Sequence, residues 1–206
     1  MRVIKQSVEI MGCCGQPVDG AAMLKHIELC GRVCYKSEDK ISDDSAEKFV
    51  RRIIKSGHES VLEHASITVR FVCDRGVSHE IVRHRIASYS QESTRYCDYS
   101  RDKFGGEIKI IEPVGDSTNR AMIYASCGYA ETIYQYMIGA GVSPQMARAV
   151  LPTCLKTELI MTANLREWRH FLCLRTSEAA HPQMRALALE LRDKLREAVP
   201  VVFEDV

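Results

Sequence analysis

The chain has 206 residues, with 28 Lys and Arg against 27 Asp and Glu, a formal charge of +1, and 46% hydrophobic residues. A chain of this length buries about 70% of its unfolded surface, so it needs neither disulfides nor a structural metal to hold a core. Its near-zero charge argues against a strongly cationic nucleic-acid binder and against an acidic disordered tail.

Val3 to Met11 alternates and reads as a strand, and Gly20 to Tyr35 carries Ala22, Met23, Ile27, Leu29, Cys30, Val33 and Cys34 at helical spacing. Glu38-Asp39 and Asp43-Asp44 precede a second helix, about Ser45 to Ser56, which Gly57 ends; acids before a helix start suit its dipole. Ala65 to Cys73 alternates Ile67, Val69, Phe71 and Cys73 with polar residues, as a half-buried strand does. Gly76 to His84 reads as a short helix, and Ser88 to Asp102 as a polar stretch without an apolar run. Ile108, Ile110 and Ile111 mark a short strand. Ser117 to Ala140 is the longest helical pattern, with Met122, Ala125, Tyr129, Ile133, Tyr136 and Met137 on one broad face. Ser143-Pro144 opens a helix to Val150, Leu151 to Ala163 forms a strand, Asn164 caps a helix through Leu174, and His181-Pro182 opens a last helix to about Ala198. Interspersed strands and helices point to a single mixed α/β or α+β domain over residues 1–206.

Nine cysteines cannot all pair internally, and Met1 to Gln6 lacks the apolar core of a signal peptide, which together predict a reducing cytoplasm. No C-x-x-C pair is present, and no metal site is expected. No apolar run reaches the length of a membrane span. His79-Glu80 and His84 suggest a zinc hydrolase, but two ligands on one helical face must lie four apart, and these histidines are five apart, as His58 and His64 are six apart. A phosphate loop of the G-x-x-x-x-G-K-[ST] type is missing, and Gly139-Ala140-Gly141 follows a helix and reads as its cap.

Arg83, His84, Arg85, Ser88, Ser90, Gln91, Ser93, Arg95 and Tyr96 crowd into fourteen residues. Guanidinium forks suit phosphate, and amides suit the edge of a base, so this set has the donors a nucleoside monophosphate requires. The 18 arginines against 10 lysines fit the same preference for planar anions. In a continuous helix Glu80 would lie one turn before Arg83 and His84 and orient Arg83 by an ion pair.

Arg83-His84-Arg85, seven residues, then Ser93 resembles the R-H-R-x7-S signature of flavin-dependent thymidylate synthases. Gly57-His58-Glu59-Ser60-Val61-Leu62-Glu63-His64 is similar to that family's G-H-x-[ST]-x-x-E-H segment. Ala147 to Pro152, Asn164-Leu165-Arg166, and His170 through Arg175 resemble its later blocks, in the family's order.

The resemblance implies an α+β domain with a central, mostly antiparallel sheet flanked by helices. It implies conversion of dUMP to dTMP, with 5,10-methylenetetrahydrofolate as one-carbon donor and NADPH as reductant through bound FAD. By the same likeness FAD is contacted by Ser60, Arg83, His84, Arg85, Gln91, Asn164, Leu165, Arg166 and His170. The dUMP positions are Glu80, Ile81, Val82, Arg83, Gln91, Glu92, Ser93, Thr94, Arg95, Arg148 and Arg175, with Arg175 catalytic in promoting ionisation of uracil N3. A permanent cation beside a developing uracil anion is physically suited to that task. Ser93 is read as positioning, since no base stands ready to activate it. Gln91 stands where some members have Glu, exchanging a charge for donors. The family implies a homotetramer with sites shared between subunits, which would let Arg175, roughly 140° around the helix from His170, reach a site as well. The competing readings are a catalytically silent flavin- or nucleotide-binding homologue and a single-stranded nucleic-acid-binding module, the latter opposed by the neutral total charge.

Overall fold

The computed structural model describes residues 1–206. In chain order its elements are β1 (Arg2–Ile4), β2 (Ser7–Gly12), α1 (Gly20–Val33), α2 (Ser45–Lys55), β3 (Ser66–Asp74), α3 (Arg75–Ile81), β4 (Ala87–Gln91), β5 (Lys109–Ile111), α4 (Ser117–Gly139), α5 (Pro144–Ala147), β6 (Lys156–Asn164), α6 (Leu165–Arg175), α7 (Pro182–Ala198) and α8 (Pro200–Phe203). The fold is mixed α/β, with an antiparallel sheet in the order β2-β3-β6-β4 and helices flanking it. A separate parallel pair joins β1 to β5, with Val3 opposite Ile110. No helix is long and apolar enough to cross a membrane.

Two compact units divide the chain, and the chain passes from one to the other inside β2, β3, β4 and β6 and between Arg83 and His84. The first comprises residues 1–7, 71–83 and 90–159. Its core gathers Tyr99, Ile108, Ile110, Cys127, Tyr134, Ala147 and Leu155. The second comprises residues 8–70, 84–89 and 160–206. There α1 packs on α2, and α6 packs on α7 and α8. Ile27, Val50, Leu62, Ile67, Trp168, Phe171 and Leu191 are fully buried in it.

The strand expected from Val3 to Met11 is two strands: Lys5-Gln6 breaks it, and its halves join different sheets. The polar stretch after Ser88 contains β4, whose Ala87, Tyr89 and Gln91 are half-buried between exposed Ser88 and Ser90. The strand expected from Leu151 starts only at Lys156, because Leu155 N–H donates to Pro152 C=O and closes a turn. α4 spans the expected range, but Met122, Tyr129 and Tyr136 of its apolar face are exposed, and only Cys127 and Tyr134 are fully buried. α2 ends as expected at Gly57, whose φ of 70° lies where a side chain would strain the backbone.

Candidate active site

In the second unit, β6 runs directly into α6 at Asn164. The Asn164 Oδ1 accepts from Glu167 N–H at 2.8 Å, the cap that its position before an apolar run predicts. The Leu165 N–H donates to Ala65 C=O at 3.0 Å, and Leu165 itself is fully buried. Trp168, Phe171 and Leu172 turn inward from α6, with the Trp168 indole N–H on Ile67 C=O at 3.0 Å. Arg166, His170 and Cys173, at helical spacing, are left exposed on the other side.

That exposed face lines a cavity of about 570 Å³ together with Asn164, Glu59, Glu63 and Ile86. A second cavity of about 900 Å³ is lined by Ser60, His58, Tyr35, Lys40 and Arg52, and it shares Glu59 and Arg166 with the first. Glu63 accepts from Arg166 Nη1 at 2.6 Å, which aims that guanidinium without burying it. Arg169, largely buried in the wall of the first cavity, bonds Asp205, Glu59 and Val202 C=O.

α3 ends at Ile81 with Val82 as its cap, so Arg83 and His84 lie in the turn beyond it. The helical spacing expected between Glu80 and Arg83 therefore does not hold; the Arg83 N–H instead closes on Glu80 C=O at 3.4 Å. Arg83 and Arg85 are exposed, whereas His84 between them is 4% exposed. The His84 Nδ1 lies 3.0 Å from Glu167 Oε1, and its Nε2 lies 3.1 Å from Arg175 Nε. A guanidinium can only donate, so Nε2 accepts and Nδ1 carries the proton to Glu167. Burial holds the imidazole below the ordinary histidine value; Glu167 opposes that, while Arg175 and His170 reinforce it.

The ring of His170 meets His84 edge-on at 5.6 Å, and Phe171 packs against it at 4.8 Å. Tyr89 O–H donates to His84 C=O at 2.5 Å, and burial pushes that hydroxyl up to about 12. His170 and Arg175, on opposite sides of α6, thus meet the same imidazole within one chain. His84, Glu167 and His170 are close enough to share a cation, but both nitrogens of His84 are already engaged.

In the first unit, the segment after β4 is held from several directions. Gln91 Nε2 donates to Ser78 Oγ at 2.9 Å and to Thr157 Oγ1 at 3.3 Å, so its amide is spent on donors that a carboxylate lacks. Glu92 accepts from Tyr99 O–H at 2.8 Å and from Lys156 Nζ at 2.8 Å. Ser93 Oγ accepts from Arg95 N–H at 3.3 Å. Thr94 is buried, and its Oγ1 accepts from Arg148 Nη1 at 3.5 Å, joining residues 54 positions apart. Arg95 is exposed and lies over the Tyr96 ring, 5.3 Å from its centroid. Ile81 is fully buried and Val82 is 38% exposed.

The structure thus brings Asn164, Arg166 and His170 to one cavity, Ser60 and Arg166 to another, His170 and Arg175 to His84, and Thr94 to Arg148. Ile81 and Leu165 offer no side-chain surface. Sequence reasoning missed Glu167, Glu59 and Arg169 as site neighbours. For Glu167 a signal existed, since Asn164-x-x-Glu167 has capping-box spacing.

A family model described as thymidylate synthase complementing protein matches residues 21–201. The chain is 36% identical over 199 residues to a flavin-dependent thymidylate synthase of Geobacter sulfurreducens, covering 89% of this chain and 85% of that protein. It is also 36% identical over 208 residues to one of Mycolicibacterium vanbaalenii, covering 91% and 80%. Its fold is similar to that of a UMP/dUMP methylase, PolB, from Streptomyces cacaoi bound with 5-Br dUMP, with a TM-score of 0.77, 23% identity and coverage of 99% and 96%.

Proposed function

Because the chain belongs to the flavin-dependent thymidylate synthase family and is a flavin-dependent methyltransferase, we propose that it converts dUMP to dTMP with FAD, NADPH and 5,10-methylenetetrahydrofolate. The observation that carries this reading is the family match over residues 21–201, which runs through segments of both units and supports treating 1–206 as one domain. The nine free thiols support a reducing, cytoplasmic setting.

The donors present fit FAD. A dinucleotide needs cations and hydroxyls for its diphosphate and a flat rim of donors for its ring. Arg166, Arg52, Lys40 and Ser60 supply the first at the larger cavity, and Asn164 and His170 supply the second at the smaller. Arg83 and Arg85 are both exposed, and the family likeness assigns them to FAD; His84 is buried between them, and Leu165 contributes through the turn it builds. A flavin held there would supply hydride and one-carbon transfer chemistry, with NADPH as the source of its reducing equivalents.

For dUMP, the phosphate is assigned to Arg148, which Thr94 steadies, and to Arg95, guanidinium groups suited to an anion. Glu80, Val82, Arg83 and the Gln91–Ser93 backbone orient the nucleotide, and buried Ile81 anchors the end of α3. Arg175 stabilises negative charge on uracil as N3 gives up its proton, which raises electron density at C5. Homotetramer formation with shared sites, as in the family, is part of the same proposal, and the exposed aromatic face of α4 supports it.

The test is tritium release from 5-tritiated dUMP with FAD, NADPH and methylenetetrahydrofolate. The purified protein is expected to be yellow and tetrameric, and dUMP to perturb the flavin spectrum. Arg175→Ala is expected to abolish release while keeping the flavin. A colourless protein that takes up no FAD and releases no tritium overturns the reading.

A further inference from the structure

We infer that Glu167 is a positioning residue that fixes the guanidinium of Arg175 through the imidazole of His84. This rests on the proposed role of Arg175 at dUMP. Three observations carry it. Glu167 stands at the third position of α6, where a glutamate ordinarily turns back to the backbone N–H of the cap residue. Its carboxylate instead meets His84 Nδ1 at 3.0 Å, although Asn164 caps the same turn from its own side chain. Glu167 and His84 are both buried, so the bond between them is shielded from competing water. Finally, His84 Nε2 meets Arg175 Nε at 3.1 Å, and that contact is possible only in the tautomer whose Nδ1 carries the proton.

Glu167 selects that tautomer, because a carboxylate accepts and cannot donate. The lone pair of Nε2 then takes the Nε–H of Arg175, which holds that edge of the guanidinium and helps direct its two terminal nitrogens. Tyr89 holds the backbone of His84, and Phe171 and His170 hold its ring, so the imidazole cannot rotate to compensate for a lost partner. The arrangement shares its logic with a carboxylate orienting a histidine in a hydrolase, but its output is a positioned cation and not a proton transfer.

The experiment uses flavin-loaded protein, wild type, Glu167→Ala and Glu167→Gln. Long-range ¹H–¹⁵N spectra of the histidine rings report the tautomer without turnover, with the His84 signal identified by its loss in His84→Asn. Wild type is expected to show His84 protonated at Nδ1. In Glu167→Ala, kcat for dUMP should fall about 100-fold through misplacement of Arg175, with the flavin retained and KM changed by less than about threefold. The amide oxygen of Glu167→Gln still accepts from Nδ1, so this variant should recover kcat to within about fivefold of wild type and keep the tautomer.

A wild-type His84 protonated at Nε2, a Glu167→Ala enzyme with wild-type kcat, or a loss that Glu167→Gln does not recover would each overturn the inference. Should Glu167→Ala fail to fold, the wild-type tautomer and the Glu167→Gln kinetics still decide. A wild type that releases no tritium refutes the dUMP reading instead, and the His84 tautomer then tests the Glu167–His84–Arg175 connection independently of turnover.

Discussion

Arg169→Lys probes a strut in the wall of the smaller cavity. The Arg169 side chain is 8% exposed and ties two other segments to α6: its Nη1 and Nη2 meet the two oxygens of Asp205 at 2.5 and 2.9 Å, its Nη1 meets Val202 C=O at 2.5 Å, and its Nε meets Glu59 at 3.2 Å. A lysine keeps the charge but has a single point of donation and cannot form the fork. Leaving the Val202 carbonyl unpaired costs about 1–3 kcal/mol. The carboxylates add less: Asp205 is 50% exposed and Glu59 27% exposed, so solvent screening limits each loss to about 1 kcal/mol or below. The total, about 3 kcal/mol, corresponds to a fall in Tm of roughly 6 to 12 °C for a chain of this size. Thermal unfolding followed by fluorescence of Trp168, the single tryptophan, measures it. A fall below about 2 °C would show that water or a relaxed backbone satisfies the carbonyl, and the strut argument would fail. The pH dependence supplies a second check. Arg169 holds the Asp205 carboxyl below its ordinary value. The stability this pair contributes is therefore fully present above the unfolded value of about 3.9 and is lost only as pH falls through the lower folded value. Asp205→Asn should accordingly differ from wild type at pH 7 and at pH 5 by the same margin.

Three further outcomes follow from the geometry. In Gly20→Ala the new Cβ would stand 2.4 Å from the backbone oxygen of Ala198, so α1 and α7 must move apart; a loss of about 1–3 kcal/mol in urea unfolding is expected, and an unchanged midpoint would refute the close approach. Tyr99→Phe leaves Glu92 with Lys156 as its remaining partner and loosens the segment from Gln91 to Arg95; KM for dUMP should rise about fivefold with kcat and flavin content nearly constant, whereas a change in kcat alone would contradict this. Burial pushes the thiols of Cys73 and Cys154 up to about 12, so iodoacetamide at pH 8 should leave both unmodified until the chain is unfolded, as mass spectrometry of peptides would show.

Most helices were legible because their signals are local. Asp19, Asp74, Asp116 and Asn164 each accept from the backbone N–H three residues on, and a cap of this kind needs nothing from the rest of the chain. β4 was not legible, since Ala87, Ser88, Tyr89, Ser90 and Gln91 carry too little apolar surface for alternation to be noticed, although their burial does alternate. Periodicity found the apolar face of α4 but could not say what covers it, and Met122, Tyr129 and Tyr136 stand outward. In the site, the exposed members, Arg166 and His170, were placed by motif and helical spacing together. Glu167 escaped because one acid on a helix reads as a solvated charge, and its partner, His84, lies 83 residues earlier. The ion pair expected between Glu80 and Arg83 assumed a helix that stops two residues too soon.

The alternation of exposure across Arg83, His84 and Arg85 has a practical meaning for redesign. The middle residue is a keystone: its ring donates a hydrogen bond on one side and accepts one on the other, to partners 83 and 91 residues away in the chain. The two outer residues project from that keystone without holding anything up. They can therefore be exchanged one at a time to retune which flavin or nucleotide is favoured, with little risk to folding, while a library that varies all three together would mostly return collapsed frames. A search for altered cofactor preference should start by randomising positions 83 and 85 around an untouched His84.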